Sequence, residues 1–378
     1  MVMDRLFLLM KEKEASDMFM AVNSPIHLKV NGHLLPINQQ KMDNSNILAM
    51  LAEVVPANKL HELEQNNELN MGIPVVGVGS FRLSAFRQRG SISAVLRYIP
   101  SNIPPLADLH LPPIFKDLIM DRRGLMLVVG ATGSGKSTTI ASMLDHRNST
   151  TSGHILTLED PIEFLFKNKL SIVNQREIGT DATTLQAALR NALRQAPDCI
   201  LIGEIRDKET MAAAMAYAQS GHLVVATLHA NNSYQALTRI INFYPMENRQ
   251  SLLSDLSASL RSIISQRLVR TIDGGRRAAV EVLLNTRHVA DLIEEGDIGM
   301  IKEAIEKSLS PGSQTFEQAL MLLIKDGVVT QDEALAHADS ATNLYWLINN
   351  SKDNKSAPVE EAPKKDEGAT FTEFTLNV

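Results

Sequence analysis

The stretch Gly130-Ala131-Thr132-Gly133-Ser134-Gly135-Lys136-Ser137-Thr138-Thr139 restricts what this chain can fold into more than any other. It fits G-x-x-x-x-G-K-[ST], and its flanks fit too: Leu125–Val129 is a continuous apolar run of buried-strand type, and Thr138–Leu144 continues as a helix. Glycines let such a loop turn tightly with its N–H groups inward, so loop and helix start together form a concave donor surface for phosphate oxygens. Gly130, Thr132, Gly133, Ser134, Gly135 and Thr138 are expected in that cradle. Lys136 would bring positive charge to the β- and γ-phosphates, and Ser137 a hydroxyl to Mg²⁺. Strand, loop and helix in this order imply an α/β fold. The loop speaks of nucleotide phosphates and says nothing of what their energy drives.

At 378 residues the chain is long enough for two domains, or three small ones, each with its own core. Its net charge of −6 argues against nucleic acid as the main partner, because binding that backbone needs a basic face. The single cysteine, Cys199, excludes a disulfide framework and a cysteine-rich zinc site, which suits the cytoplasm; within an apolar run it reads as a buried small side chain. Leu6–Met10 is too short for a signal core and is closed by Lys11-Glu12-Lys13-Glu14. No apolar run approaches the ~20 residues that span a bilayer, so work at a membrane would go through a partner.

Residues 1–100 read as a small α/β domain: a short amphipathic helix, a hairpin of Ile26–Val30 and Leu34–Ile37 about Asn31-Gly32, a helix from Ser45 to Asn66, and strands Gly79–Phe86 and Ser91–Ile99. The prolines of 101–113 mark a semi-rigid linker. From 114 strands alternate with helices, the pattern of a mostly parallel sheet. His154–Leu158, Cys199–Ile202 and Leu223–Thr227 are apolar strands, each followed by polar residues where an open sheet places its ligands. Helices are expected over Thr184–Ala196, Lys208–Ser220 (closed by Gly221) and Ser251–Leu268, with a helical appendage over 298–348. The charged, proline-containing segment 351–378 should be disordered, its end Phe371–Leu376 being a sticky terminus or a strand that docks on a sheet edge.

Glu159, Asp160 and Glu163 follow a strand close to the expected phosphate loop. Glu163 is the choice for orienting an attacking water, with Glu159 and Asp160 shaping the site. Gly203-Glu204 ends another strand, where Glu204 would hold Mg²⁺; Arg206-Asp207 is read as capping the next helix. His222 and His229 stand at opposite ends of one strand and cannot share a ligand. His229, at the carboxyl end, is read as a γ-phosphate sensor. Arg82, Arg87, Arg89 and Arg97 cluster in the N-terminal region; a loop without an arginine of its own could draw on them from a neighbouring subunit.

Four segments together resemble one family: GATGSGKS at 130–137, ILTLEDPIEF at 155–164, ILIGEIRD at 200–207 and GHLVVATLH at 221–229. They look like the Walker A, Asp box, Walker B and His box of the secretion and type IV pilus motor ATPases. ASDMFMAV at 15–22 and FRLSAFRQRGSISAVLRYIP at 81–100 extend the resemblance to about residue 345, nearest the retraction branch (PilT/PilU), with the tail inclining it to the PilU side. The resemblance implies a homohexamer binding ATP and Mg²⁺ at subunit interfaces, each subunit joining a PAS-like N-terminal domain to a RecA-like domain. Glu163 would be the base, Glu204 the Walker B acid, His222 and His229 the His-box residues, and Arg82 and Arg97 arginines that reach toward nucleotide. It also implies a cytoplasmic location, peripheral to the inner membrane at the pilus base, and a PilC-like platform protein as partner. The family's helix Ala-Ile-Arg-Asn-Leu-Ile-Arg-Glu corresponds to Val289–Glu295, with acids in place of arginines, which suits an accessory motor that works with a PilT-like ATPase. A nucleic-acid translocase and a non-hydrolysing scaffold are the competing readings. A GTPase lacks its Asn-Lys-x-Asp segment.

Overall fold

The computed structural model describes residues 1–30, 32–100 and 102–353. The segment 354–378, and with it Phe371–Leu376, lies outside the described residues.

Two sheets carry the chain. The N-terminal one is built from β1 (Asp17–Met20), β2 (His27–Val30), β3 (His33–Pro36), β4 (Glu68–Val75), β5 (Gly79–Gln88) and β6 (Ser91–Pro100), in the order β3-β2-β1-β6-β5-β4, with every pair antiparallel. Helix α1 (Val2–Glu12) repeats Met3, Leu6, Phe7 and Met10 on one face and buries them on this sheet, where Phe7 stacks on Phe81 with ring centres 4.1 Å apart. Alternation along the strands sends Phe81, Leu83, Ala85 and Leu96 to that core and leaves Arg82 and Arg97 on the other face. The helix expected over 45–66 is two, α2 (Asn44–Ala52) and α3 (Ala57–Asn66); Pro56 caps the second, because its ring cannot continue the first.

The linker packs back on the second domain: Leu106 is buried, and Ser142 Oγ donates to the Pro104 carbonyl at 2.7 Å. Short helix α4 (Ile114–Ile119) leads into β7 (Gly124–Val129) and α5 (Lys136–Thr150). Next come β8 (Gly153–Glu159), β9 (Ser171–Glu177), α6 (Leu185–Ala192), β10 (Cys199–Ile202), α7 (Lys208–Gln219), β11 (Leu223–Leu228), α8 (Ser233–Asn242), α9 (Arg249–Ser259), β12 (Leu260–Arg270) and β13 (Arg276–Leu284). The sheet order is β13-β12-β7-β11-β10-β8-β9, parallel except for the edge strand β13. Both faces are covered. Leu125, Leu127 and Val129 enter one core while Met126 and Val128 enter the other, which is why the strand reads as an unbroken apolar run. Cys199 is buried and its thiol is pushed up to about 12 by burial, so it is inert.

The helix expected over Ser251–Leu268 ends at Ser259, and Leu260–Arg270 is instead a strand between β7 and β13. Leu252, Leu256, Leu260, Ile263 and Ile264 satisfy both a helical stripe and a doubly buried strand, and pairing with β7 decides between them. The helix from Thr184 stops at Ala192 and finishes in a 3₁₀ turn before the left-handed Ala196. Strands β1, β4, β9 and β13 are additions to the sequence reading. Helices α10 (Arg287–Glu295), α11 (Ile301–Glu306), α12 (Phe316–Lys325), α13 (Gln331–His337) and α14 (Ala341–Asp353) complete the described chain, the last running into the segment expected to be disordered. No helix among the described residues is long and apolar enough to cross a membrane.

Candidate functional site

Parallel strands bring the ends of β7, β8, β10 and β11 to one edge of the sheet, and the residues that follow them meet there. The loop after β7 is shaped by close approaches. A side chain on Gly130 would lie 2.5 Å from the Gln266 carbonyl and from Ser134 Oγ, and Gly135 adopts φ +87° as it opens α5. Gln266, buried on β12, clamps the loop: its Nε2 donates to the Ser134 carbonyl and its Oε1 accepts from Thr139 Oγ1, both at 2.8 Å. Lys136 Nζ donates to the Gly130 and Ala131 carbonyls at 2.9 Å each. Burial lowers the pKa of Lys136, while Glu163 and Glu204 oppose that by favouring the cation.

Glu159 is buried, with Oε1 accepting from Thr157 Oγ1 at 2.6 Å and from Gln175 Nε2 at 3.2 Å; burial raises its pKa against those hydrogen bonds. Gly203 closes the gap between strand ends, since a Cβ there would stand 3.2 Å from the Leu158 carbonyl. Glu204 is gripped on both oxygens, by His229 Nε2 at 3.2 Å and by Arg206 Nε at 2.5 Å; Arg206 also lies 3.8 Å from Asp160. Asp207 caps α7, as read from the sequence, accepting from the Thr210 N–H at 2.7 Å, but Arg206 faces the site instead of the helix.

A cavity of about 780 Å³ is lined by Thr132, Gly133, Gly135, Lys136, Ser137, Thr138, Glu159, Asp160, Glu163, Glu204 and His229, together with Arg82 and Arg97 of the N-terminal sheet. Gly130 and Ser134, though part of the loop, are absent from that lining. His222 is not brought in: at the other end of β11 its ring contacts Ser220 Oγ at 3.1 Å and the Tyr217 carbonyl at 3.2 Å. Arg82 of β5 and Arg97 of β6 line the cavity together with the phosphate loop of their own chain, and Arg206 adds a further guanidinium. Gln266, Gln175 and Thr157 escaped the sequence reading as site residues, and Arg206 was read only as part of a helix cap. Gln266 sits between Ser265 and Arg267 in a strand of mixed polarity, so no sequence signal set it apart.

The residues present fit a nucleotide with Mg²⁺. Ser134 Oγ is buried without a hydrogen-bond partner, the loop carries glycine where a Cβ would intrude, and the Ser137 hydroxyl shares the cavity with Asp160 and Glu204. Among the described residues no cluster of three or more His, Cys, Asp or Glu could hold a metal without such a ligand.

A mainly parallel sheet with this loop at the carboxyl end of a central strand defines a P-loop nucleotide-binding enzyme. The family model "Type II/IV secretion system protein" matches residues 2–291, and the chain belongs to that family. The type IV pilus ATPase PilU of Pseudomonas aeruginosa is 46% identical over 349 residues, covering 92% of this chain and 91% of its own. The retraction ATPase PilT of the same organism is 38% identical over 330 residues, 87% of this chain and 96% of its own. The structure of a pilus retraction motor PilT with bound ADP superposes with a TM-score of 0.84 at 38% identity, over 90% of this chain and 99% of that one. The chain is thus an ATPase of the PilT/PilU group of secretion ATPases.

Proposed function

We propose that the chain is the subunit of a homohexameric motor that hydrolyses ATP to help power retraction of type IV pili, as an accessory to a PilT-like ATPase. The carrying observation is the single cavity in which the loop and strand-end acids of one domain face Arg82 and Arg97 of the other. A site built across a domain junction changes shape when the domains move, so chemistry and motion are linked there.

Backbone N–H groups of the loop and Lys136 hold the phosphates, while Ser137 and Glu204 would hold Mg²⁺, which would offset phosphate charge there. Glu163 orients the attacking water and accepts its proton. Glu159, kept in place by Thr157 and Gln175, fixes the turn that carries Glu163. His229, hydrogen-bonded to Glu204, links the γ-phosphate position to that acid. Arg82 and Arg97 close over the nucleotide from a PAS-like domain onto a RecA-like one. Motion is passed to a PilC-like platform protein at the inner membrane, with the motor on the cytoplasmic side. The accessory role is supported by α10, where Val289, Leu292 and Ile293 are buried and the exposed Glu294 stands where the family's retraction helix carries an arginine.

The test is Lys136→Ala, assayed for ATP turnover and, in cells with and without the PilT-like paralogue, for retraction. Turnover should vanish, and the wild-type chain should strengthen retraction only with the paralogue present. Full retraction by Lys136→Ala would make the chain a scaffold.

A further inference from the structure

Cross-strand pairing places Asp17, Arg97 and Arg82 side by side on β1, β6 and β5. Asp17 is 4% exposed, yet it lies on the face that carries the arginines. Its Oδ1 accepts from Arg97 Nε at 2.8 Å, and Ser16 Oγ donates to its Oδ2 at 2.9 Å. Lys29 is its partner in register on β2. The Arg97 side chain remains 65% exposed and lines the cavity with the phosphate loop. A guanidinium has five N–H donors in a rigid fork, and Asp17 engages the Nε–H, leaving the terminal nitrogens without a hydrogen bond or ion pair among the described residues. Arg82 lines the same cavity with no side-chain hydrogen bond or ion pair among the described residues.

We infer that Asp17 is a positioning residue for nucleotide turnover: it fixes Arg97 with its terminal nitrogens aimed at the phosphates, so that the two arginines of the N-terminal sheet are unequal, one set in place beforehand and one ordered only on binding. The inference rests on the proposed role of Arg97. A long side chain held before the ligand arrives avoids the ordering cost a free one meets on engagement.

The test compares ATP turnover by the full-length assembled protein carrying Asp17→Ala, Asp17→Asn, Arg97→Ala, or Asp17→Ala with Arg97→Ala, with thermal unfolding to confirm folding. Asp17→Ala should lower kcat roughly three- to tenfold with a smaller change in KM for ATP. Asp17→Asn, which keeps an acceptor, should retain more of the rate, and Asp17→Ala should cost nothing further once Arg97 is gone. An equal loss from Asp17→Ala in both backgrounds would make Asp17 merely structural. An unimpaired Asp17→Ala beside an impaired Arg97→Ala would overturn this inference alone. An unimpaired Arg97→Ala would overturn the role of Arg97 and the inference with it.

Discussion

Replacing Gln266 by leucine removes both hydrogen bonds by which β12 holds the phosphate loop while nearly preserving side-chain volume. The Ser134 carbonyl and the Thr139 hydroxyl, buried partners at 2.8 Å, are left behind. A stranded buried polar group costs about 1–3 kcal/mol. Thr139 can fall back on the carbonyl one turn earlier in its helix, so the carbonyl of Ser134 dominates, and the loss comes to about 2–4 kcal/mol. For a domain of this size that lowers Tm by roughly 5–15 °C. Part of the loss returns as weaker binding, because a loop released from Gln266 must be set again by the nucleotide. Even about 1 kcal/mol of it weakens affinity roughly fivefold. Scanning calorimetry and titration with a fluorescent ADP measure the two effects on one preparation. A variant within 2 °C of wild type by calorimetry and unchanged in affinity would show that the loop holds itself, and the clamp would be refuted.

Two further outcomes follow from the site. Burial raises the Glu159 pKa, so the folded state binds that proton more readily than the unfolded one, and stability falls as pH rises from the ordinary carboxylate range through the raised folded value. Glu159→Gln, which keeps an acceptor for Thr157 and Gln175, should therefore unfold at a higher temperature than wild type near pH 8 and at nearly the same temperature near pH 4; a gap that widens on acidification would show the carboxylate to be the favoured form. Because Arg82 and Arg97 line the cavity with their own phosphate loop, assemblies of the proposed ring that mix an Arg82→Ala, Arg97→Ala subunit with a Lys136→Ala subunit should contain no complete site and stay inactive in an ATPase assay; recovered activity would assign these arginines to the neighbour's site.

Local chemistry was readable from the chain and distant partnership was not. The glycines of 130–135 and the cap at Asp207 act within a few residues of themselves, and each stands where its sequence places it. Gln266 clamps atoms 132 and 127 residues away, an arrangement that exists only once β12 lies beside β7. Strand β12 was hidden for the same reason, since its leucines and isoleucines suit either a helical stripe or a doubly buried strand until a sheet neighbour is present. The arginines divide along this line. A two-residue turn at Arg89 and Gly90, both at positive φ, fixes the hairpin, and counting outwards pairs Gln88 with Ser91 and, six steps on, Arg82 with Arg97. Their adjacency was therefore present in the sequence. What aims Arg97 was not, because Asp17 lies 80 residues earlier and meets it only when β1 closes on β6. A short-range rule thus brings the two arginines together, and a long-range pairing makes them different.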